Sequence, residues 1–452
     1  MGYAPLGRLL LRLSLPSIVG TITFSLYNIV DTFWVARLGH GAIAALTIVL
    51  PYQILISAMG VGTGMGIGAL VSRRFGENNP EATNHVAGQT FFLGAFWGLI
   101  FMMVAVFFPE TILTTFGATP DIMEYGTQYL VIVACGAPQI IFAMLAGSLI
   151  RGSGDAVKPM IMMITGAVIN IILDPMMILG LGPFPEMGVR GAALATIIAQ
   201  SFGAALGLYF LLARKTAYRL RLSHLKPNMS ILRNIYRVGA PSTILQITES
   251  LSFILFNIVV SSFGSIAIAA VGMVARISDL AFMPVFGLSD GLLPIVGFNF
   301  GAGYLKRLWK AVKLASVGIM LLLGASTLVI EIFAPQLVAI FSDNPELLAV
   351  TVPAMRIMLS TMLLIGPSVM FITAFQGLSK GTMALILSLV RQFIFFVPLL
   401  YLLHYLLGLN GVWLSLPASD VLSFMVTSLV IYREYRRQRK SGGWSDGSLA
   451  AG

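Results

Sequence analysis

Charged residues are scarce in this sequence. Only 10% of its 452 residues are Asp, Glu, Lys or Arg, whereas a typical soluble domain has about 25%. A water-soluble chain of this length needs a charged surface that these residues cannot supply. The composition therefore excludes an ordinary cytosolic enzyme and a disordered protein.

Cysteine is almost absent, and so are the residue patterns of catalysis. The single cysteine, Cys135, excludes an intramolecular disulfide and a cysteine metal cluster. The glycine-rich segment at 60–68 lacks the GK[ST] ending of a phosphate-binding loop, and no nucleophile–base pair is evident. We therefore expect no enzymatic activity and no organic cofactor, and we expect an ion gradient rather than ATP as the energy source.

Apolar residues are abundant, at 57% of the chain. A bilayer-spanning helix needs about 20 mostly apolar residues. Twelve stretches meet this requirement: 13–36, 43–72, 88–108, 126–150, 158–180, 189–213, 237–262, 266–298, 309–331, 351–376, 383–404 and 411–432. The sequence thus predicts an all-α integral membrane protein with twelve transmembrane helices.

The distribution of Lys and Arg predicts the orientation of these helices. Alternate connections and the tail hold 24 of the 28 basic residues, with Lys380 and Arg391 counted among them. The opposite side holds only Arg37, Arg190 and Arg356. We expect both termini to face the cytoplasm from a plasma (inner) membrane. The net charge of +10 then reflects topology and membrane lipid, not nucleic acid.

The two halves of the chain resemble each other at a constant offset of 225 residues. In the first and seventh spans, Pro16, Ser17, Thr23 and Ser25 match Pro241, Ser242, Thr248 and Ser250, and in the next spans Gly62, Gly66 and Gly76 match Gly287, Gly291 and Gly301. Apolar composition alone does not align Pro and Gly in this way.

The repeat predicts two six-helix bundles, 1–213 and 237–434, with a basic cytoplasmic linker at 214–236 and a cytoplasmic tail at 435–452. Because six is even, both bundles insert the same way up. They should be related by a pseudo-two-fold axis along the membrane normal, and such repeats bind substrate between the halves and transport by rocking.

Two carboxylates within the spans are the main candidates for function. A charge near a helix centre costs about 2.5–3.5 kcal/mol on insertion scales, so it usually faces a partner or a wet cavity. Asp31 is 19 residues beyond Arg12, which is a rise of roughly 28 Å, and Asp174 lies about 24 Å beyond Lys158. Thr196 lies about 9 Å in from the opposite side. All three therefore fall in the outer half of one bundle, where they could meet.

Neighbouring residues add further oxygen atoms to this set. Asn170 lies one turn before Asp174 on the same helix face, and Pro175 leaves the carbonyl of Ile171 without its helical donor. Such hard oxygen ligands suit Na⁺, or a proton shared between two acids. One turn before Asp31, Tyr27 and Asn28 either orient its carboxylate or serve in packing.

Several short motifs resemble one family of transporters. They are Val30-Asp31-Thr32 with Arg37-Leu38-Gly39, Gly191-Ala192-Ala193-Leu194-Ala195-Thr196, Gly301-Ala302-Gly303, and Phe375-Gln376-Gly377-Leu378-Ser379-Lys380-Gly381. Together with the helix count and the repeat, the sequence resembles the multidrug and toxic compound extrusion family of cation-coupled exporters over essentially its whole length. The resemblance implies that Asp31, Asn170, Asp174 and Thr196 form a cation site in the amino-terminal bundle. It also implies that the backbone of Ala192 joins that site.

Glu249 is a further candidate near the middle of the seventh span. In one branch of the family a matching glutamate binds Na⁺ with an aspartate of the tenth helix, but the tenth span here, 351–376, contains no acid. Glu249 could instead attract substrate or bind a proton. Alternatively, it could form a structural ion pair with Arg276, which the orientation count assigns to the interior of a span.

The favoured prediction is a secondary active exporter, an H⁺ or Na⁺ antiporter, of amphipathic and mostly cationic organic compounds and drugs, acting as a monomer by rocker-switch alternating access. The alternative is a lipid-linked oligosaccharide flippase of a related fold. Such a flippase should contain a basic cavity for pyrophosphate, whereas intramembrane acids outnumber arginines here.

Overall fold

The computed structural model describes residues 1–213, 217–342 and 344–440. Fifteen α-helices occupy most of this part of the chain: α1 Leu6–Ala36, α2 His40–Gly76, α3 Pro80–Phe107, α4 Pro109–Thr115, α5 Pro120–Cys135, α6 Ala137–Gly152, α7 Val157–Ile178, α8 Val189–Leu212, α9 Met229–Ser261, α10 Ser265–Gly301, α11 Leu305–Ala339, α12 Pro345–Leu359, α13 Met362–Gly377, α14 Gly381–Leu389 and α15 Val397–Lys440. A 3₁₀ turn forms Leu222–Leu225, and a π-helix, Val390–Phe396, joins α14 to α15.

The predicted all-helical membrane fold with twelve spans is confirmed. Within the described residues, 9 helices are long and apolar enough to cross a membrane, and two bent pairs of helices raise the number to 11. The last of the nine, Gly381–Lys440, is 60 residues long and breaks at Gly408, whose φ is 59°. That break separates the predicted spans 383–404 and 411–432, which gives twelve.

The backbone irregularities recur with the offset found in the sequence. Left-handed residues lie at Gly39 and Gly264, at Asn78 and Gly303, and at Gly154 and Ser379. The two bent spans break by 45° near Gly136 and by 44° near Thr361. These left-handed residues lie at helix ends in both halves. Most of them are glycine, because glycine adopts positive φ without a steric cost. The repeat is therefore a repeat of backbone conformation as well as of sequence.

By its contacts, the chain divides into two compact units, Leu15–Thr243 and Met1–Ser14 with the residues from Ile244 onward. Both divisions fall inside a helix, α1 or α9. In the first unit Gly66 of α2 packs against α9, where an added Cβ would lie 2.3 Å from the carbonyl oxygen of Ile235. In the second, an added Cβ at Gly291 of α10 would lie 2.3 Å from the Ser14 hydroxyl oxygen of α1. The first turns of α1 and of α9 therefore belong, by their contacts, to a different unit from the rest of each helix.

The sequence predicts domain boundaries at the ends of spans, with bundles at 1–213 and 237–434. These boundaries stay a prediction. The linker 214–236 contains the 3₁₀ turn and the start of α9, while its residues 214–216 lie outside the described residues, as does the predicted tail beyond Lys440. In the first unit the linker packs on α3. Gln89 of α3 donates hydrogen bonds to the carbonyls of His224, at 3.1 Å, and Lys226, at 2.8 Å.

One basic residue of the orientation analysis is misplaced. Arg391 was counted with the cytoplasmic connections, but it lies in the π-helix, ten residues beyond the start of α14 at Gly381. It is therefore an intramembrane arginine, in addition to Arg276. The excess of basic residues on the predicted cytoplasmic side survives its removal from the count.

Candidate functional site

Two helices of the first unit bring the predicted acids together. Asp174 of α7 is fully buried, and Asn170 one turn earlier donates a hydrogen bond to its Oδ1 at 3.0 Å. The carboxyl group of Asp31 on α1 interacts directly with that of Asp174. The α7 helix continues across Pro175, so the Asn170 and Asp174 side chains keep their one-turn spacing.

The remaining oxygen atoms of this cluster lack hydrogen-bond donors. Among the described residues, Asp31 Oδ1, Asn170 Oδ1 and Asp174 Oδ2 are buried without a hydrogen-bond partner. Buried polar groups are nearly always satisfied, so three such atoms together call for an explanation. Na⁺ and a proton both bind to hard oxygen atoms, so these three oxygens are candidate ligands for a cation. The donor set therefore fits the coupling ion predicted from the sequence.

A small cavity lies beside Asp31. Its volume is about 160 Å³, and its lining includes Tyr27, Asn28, Asp31 and Thr196, the last from α8. Thr196 thus reaches the same space as Asp31, as its predicted depth requires. Ala192, one turn before Thr196, is fully buried in the hydrophobic core of the unit, and the role implied for its backbone stays a prediction.

The two polar residues before Asp31 occupy different environments. Tyr27 is only 8% exposed, and its hydroxyl interacts with the side chains of Gln200 and Asn28. Asn28 is exposed toward the cavity and donates to the Phe24 carbonyl at 2.8 Å. Tyr27 therefore links α1 to α8, whereas Asn28 is a surface of the cavity.

Sequence reasoning missed several members of this site. Gln53 of α2 and Tyr129 of α5 line the cavity, with their polar groups near each other, and the Gln200 side chain lies near the Tyr27 hydroxyl. A signal was available for the two glutamines, since amides are rare in apolar spans and need partners there. Nothing in the local sequence distinguishes Tyr129 from other packing tyrosines.

In the second unit, the alternatives for Glu249, a substrate or proton site or an ion pair with Arg276, stay predictions. Glu249 is an exposed residue of α9 whose charge interacts with Arg391. Arg391 itself binds Asp420 of α15, with Nε at 3.0 Å and Nη2 at 2.9 Å from Oδ1. Asp420 also accepts a hydrogen bond from Thr361 at 3.3 Å. The charge of Arg391 is thus neutralised by an ion pair inside this unit.

The structure also joins two histidines that seemed unrelated in sequence. His85 of α3 and His224 of the linker lie with ring centroids 4.5 Å apart, and Glu81 Oε1 is 3.0 Å from His224 Nε2. His224 Nδ1 accepts the backbone N–H of Arg221 at 3.2 Å. In the neutral ring Nε2 then carries the proton and donates it to Glu81, which leaves no lone pair there for a metal. The cluster serves to hold the linker on α3.

An all-helical membrane bundle with an oxygen-lined cavity inside it belongs to the class of multi-pass membrane transporters. Comparison with known proteins gives the family. The MatE family model matches the chain twice, over residues 16–176 and 241–402, and the chain belongs to this family.

Characterised relatives cover almost the whole chain. It is 28% identical to a FAD transporter of Shewanella oneidensis over 93% of each chain. It is 25% identical to the multidrug export protein MepA of Staphylococcus aureus over 95% of this chain and 94% of that one. A multidrug resistance MATE family transporter in an outward-facing conformation matches with a TM-score of 0.91 and 27% identity, over 97% and 98% of the two chains. The chain is a MATE-family transporter.

Proposed function

We propose that this transporter is a secondary active exporter of amphipathic, mostly cationic organic compounds, driven by H⁺ or Na⁺. The observation that carries the proposal is the Asp31–Asp174–Asn170 cluster with its three unpartnered buried oxygens. An ion that binds there in one conformation only can shift the conformational equilibrium by its difference in affinity. The coupling ion is the only cofactor in this proposal.

The two bundles are proposed to rock against each other, as parallel repeats do. We propose that the protein is a monomer in the plasma membrane. Both termini are proposed to lie in the cytoplasm, because the basic residues concentrate on that side. The flippase alternative required a basic cavity for pyrophosphate. Arg391 adds a second intramembrane arginine, but Asp420 binds it, so the balance of charge still favours cationic cargo.

A second candidate substrate comes from the relative named as a FAD transporter. FAD carries a pyrophosphate, so it would need a cationic partner in the transport path. Arg276 is an exposed intramembrane arginine that could provide one. Export of an anionic flavin nucleotide is therefore the specific rival of organic-cation export.

Transport into inside-out vesicles tests both candidates and the coupling ion. A fluorescent organic cation and FAD are offered separately, under an imposed H⁺ gradient or an imposed Na⁺ gradient. We expect uptake of the dye with one gradient and no uptake of FAD. Uptake of FAD without dye would replace the proposed substrate class, and gradient-independent uptake of either compound would contradict ion coupling.

A further inference from the structure

A second cavity lies in the second unit, far along the chain from the acids. It is a groove of about 630 Å³ between α11, α13 and α15. Its basic rim consists of Lys306, Lys310, Lys313 and Arg439, and its walls are apolar and aromatic, with Trp309, Phe371 and Phe424 among them. None of the predicted transport residues lies in this groove.

The equivalent face of the first unit is covered by protein. With the offset of 225, Lys310 corresponds to His85 and Lys313 corresponds to Gly88. An added Cβ at Gly88 would lie 2.1 Å from the carbonyl oxygen of His224, so the linker backbone rests directly on the helix there. A lysine at position 313 would block an equivalent approach of the chain. The second face is thus built for a different and negatively charged occupant.

The depth of the polar groups along α11 matches a phospholipid. Lys310 and Lys313 are exposed near the start of α11. Ser316 follows one turn deeper, about 4.5 Å along the axis, is 7% exposed and has a hydroxyl without a hydrogen-bond partner among the described residues. Val317 and Met320 continue the lining beyond it. Along α11 the groove therefore presents cationic groups first, then a hydroxyl and then apolar side chains. A phospholipid has its phosphate, its ester groups and its acyl chains in the same order.

The Trp309 side chain in the wall of the groove is held in place by a series of polar contacts. Trp309 Nε1 donates to Gln438 at 3.1 Å, and Gln438 Nε2 donates to Glu434 at 2.8 Å. Glu434 in turn binds Lys380 at 2.5 Å. Trp309 is therefore a fixed aromatic surface at the boundary between the basic rim and the apolar walls, where amphipathic rings favour the membrane interface.

We propose that this groove binds an anionic phospholipid. Its phosphate lies against Lys310, Lys313 and Arg439, and an ester carbonyl accepts a hydrogen bond from Ser316. Basic pockets between transmembrane helices recognise anionic headgroups in this way. The site is separate from the proposed transport path, so a failure of the lipid assignment leaves the exporter proposal standing.

Quenching of Trp309 fluorescence tests the site directly. The full-length protein is placed in phosphatidylcholine nanodiscs that contain increasing fractions of phosphatidylglycerol with brominated acyl chains. The fluorescence of Trp309 is obtained by subtracting the fluorescence of the W309F protein from that of the wild-type protein. We expect saturable quenching by the brominated anionic lipid and only weak quenching by brominated phosphatidylcholine. Equal quenching by the two lipids would overturn the proposal.

Charge variants identify the rim. The K310Q/K313Q protein should need roughly 25-fold more anionic lipid for half-maximal quenching, because each lysine near the membrane surface contributes about fivefold. The matched pair R433Q/R437Q removes two exposed charges of α15 outside the groove and should behave like the wild type within about twofold. Equal losses in both pairs would reduce the effect to general surface charge and contradict a site.

A neutral variant tests the same assignment without altering charge. S316A should weaken the binding of the anionic lipid by a few-fold and leave the melting temperature within experimental error. Unchanged lipid affinity would contradict the ester contact.

Removal of residues 441–452 gives the last comparison. If quenching appears only after this removal, the occupant is the chain's own tail and the lipid assignment is wrong.

Discussion

Among single residues, the three unpartnered oxygens of Asp31, Asn170 and Asp174 determine which ion this cluster can bind. Desolvated oxygens without donors repel one another and favour any cation that reaches them. The same groups could serve a proton or Na⁺, since both carboxylates and the amide oxygen are hard donors. Substitutions that remove charge and substitutions that remove a ligand oxygen should therefore have different effects.

Replacing Asp31 or Asp174 with Asn removes the titratable charge and retains the shape. We expect D31N and D174N to insert and fold normally but to lose at least about tenfold in gradient-driven efflux, because an ion without differential affinity shifts no equilibrium. Expression, melting temperature and dye efflux are measured together. E124Q, which changes an exposed acid of α5, is the control. Normal efflux from well-folded D31N and D174N would disprove the coupling site.

Replacing Asn170 separates the two candidate ions. N170A removes an amide oxygen but keeps both carboxylates, so a proton can still be shared while Na⁺ loses one ligand. We expect Na⁺-driven efflux to fall at least about tenfold and H⁺-driven efflux to change less than about threefold. Because N170A also removes the hydrogen bond to Asp174, a cost of about 1–3 kcal/mol in stability is expected. Equal losses with both gradients would show that Asn170 acts by positioning Asp174.

Among the helices and their connections, the irregular segments of the second unit meet at one carboxylate. Asp420 of α15 binds Arg391 in the π-helix and Thr361 at the bend between α12 and α13. Single π-helical segments often mark functional sites. Here the segment turns Arg391 toward Asp420, which satisfies both charges inside an apolar bundle.

Breaking this ion pair should destabilise the protein strongly. In D420N the guanidinium of Arg391 loses its counter-charge, and we expect a loss of about 3 kcal/mol, as for other buried pairs with one partner removed. The double variant R391Q/D420N should recover at least half of the loss in melting temperature, since no unpaired charge remains. R356Q, which breaks the exposed pair with Glu331, should have almost no effect. A milder effect of D420N than of R356Q would contradict the structural role.

The sequence predicts some features of these elements better than others. Hydropathy and the offset of 225 are visible in the sequence itself, so the twelve spans and the repeated glycines at 62 and 287 could be predicted directly. The Arg391–Asp420 pair joins residues 29 positions apart, and the His85–His224 contact joins α3 to the linker. No spacing rule encodes such contacts, because they depend on how the helices pack. The same limit explains why the meeting of Asp31 and Asp174 was predicted from their similar depth and from the family resemblance, and not from their spacing in the sequence.

Across the whole molecule, the repeat and the basic residues make separate predictions about topology. Six spans per half require that equivalent connections lie on the same side of the membrane. The distribution of Lys and Arg predicts which side that is. The left-handed residues Gly39 and Gly264, and likewise Asn78 and Gly303, occupy equivalent connections in the structure, which provides labelling positions in matched pairs.

Cysteine labelling tests both predictions in one experiment. In a C135S background, R37C and S262C should react with a membrane-impermeant maleimide on intact cells, whereas N78C and G303C should react only in inside-out vesicles. Arg37 and Ser262 are exposed residues of equivalent connections, so differences in burial do not explain a difference in labelling. If all four positions reverse sides, the orientation is wrong and the repeat stands. If the members of one pair label from opposite sides, the two halves cannot insert in parallel, and the rocking mechanism loses its structural basis.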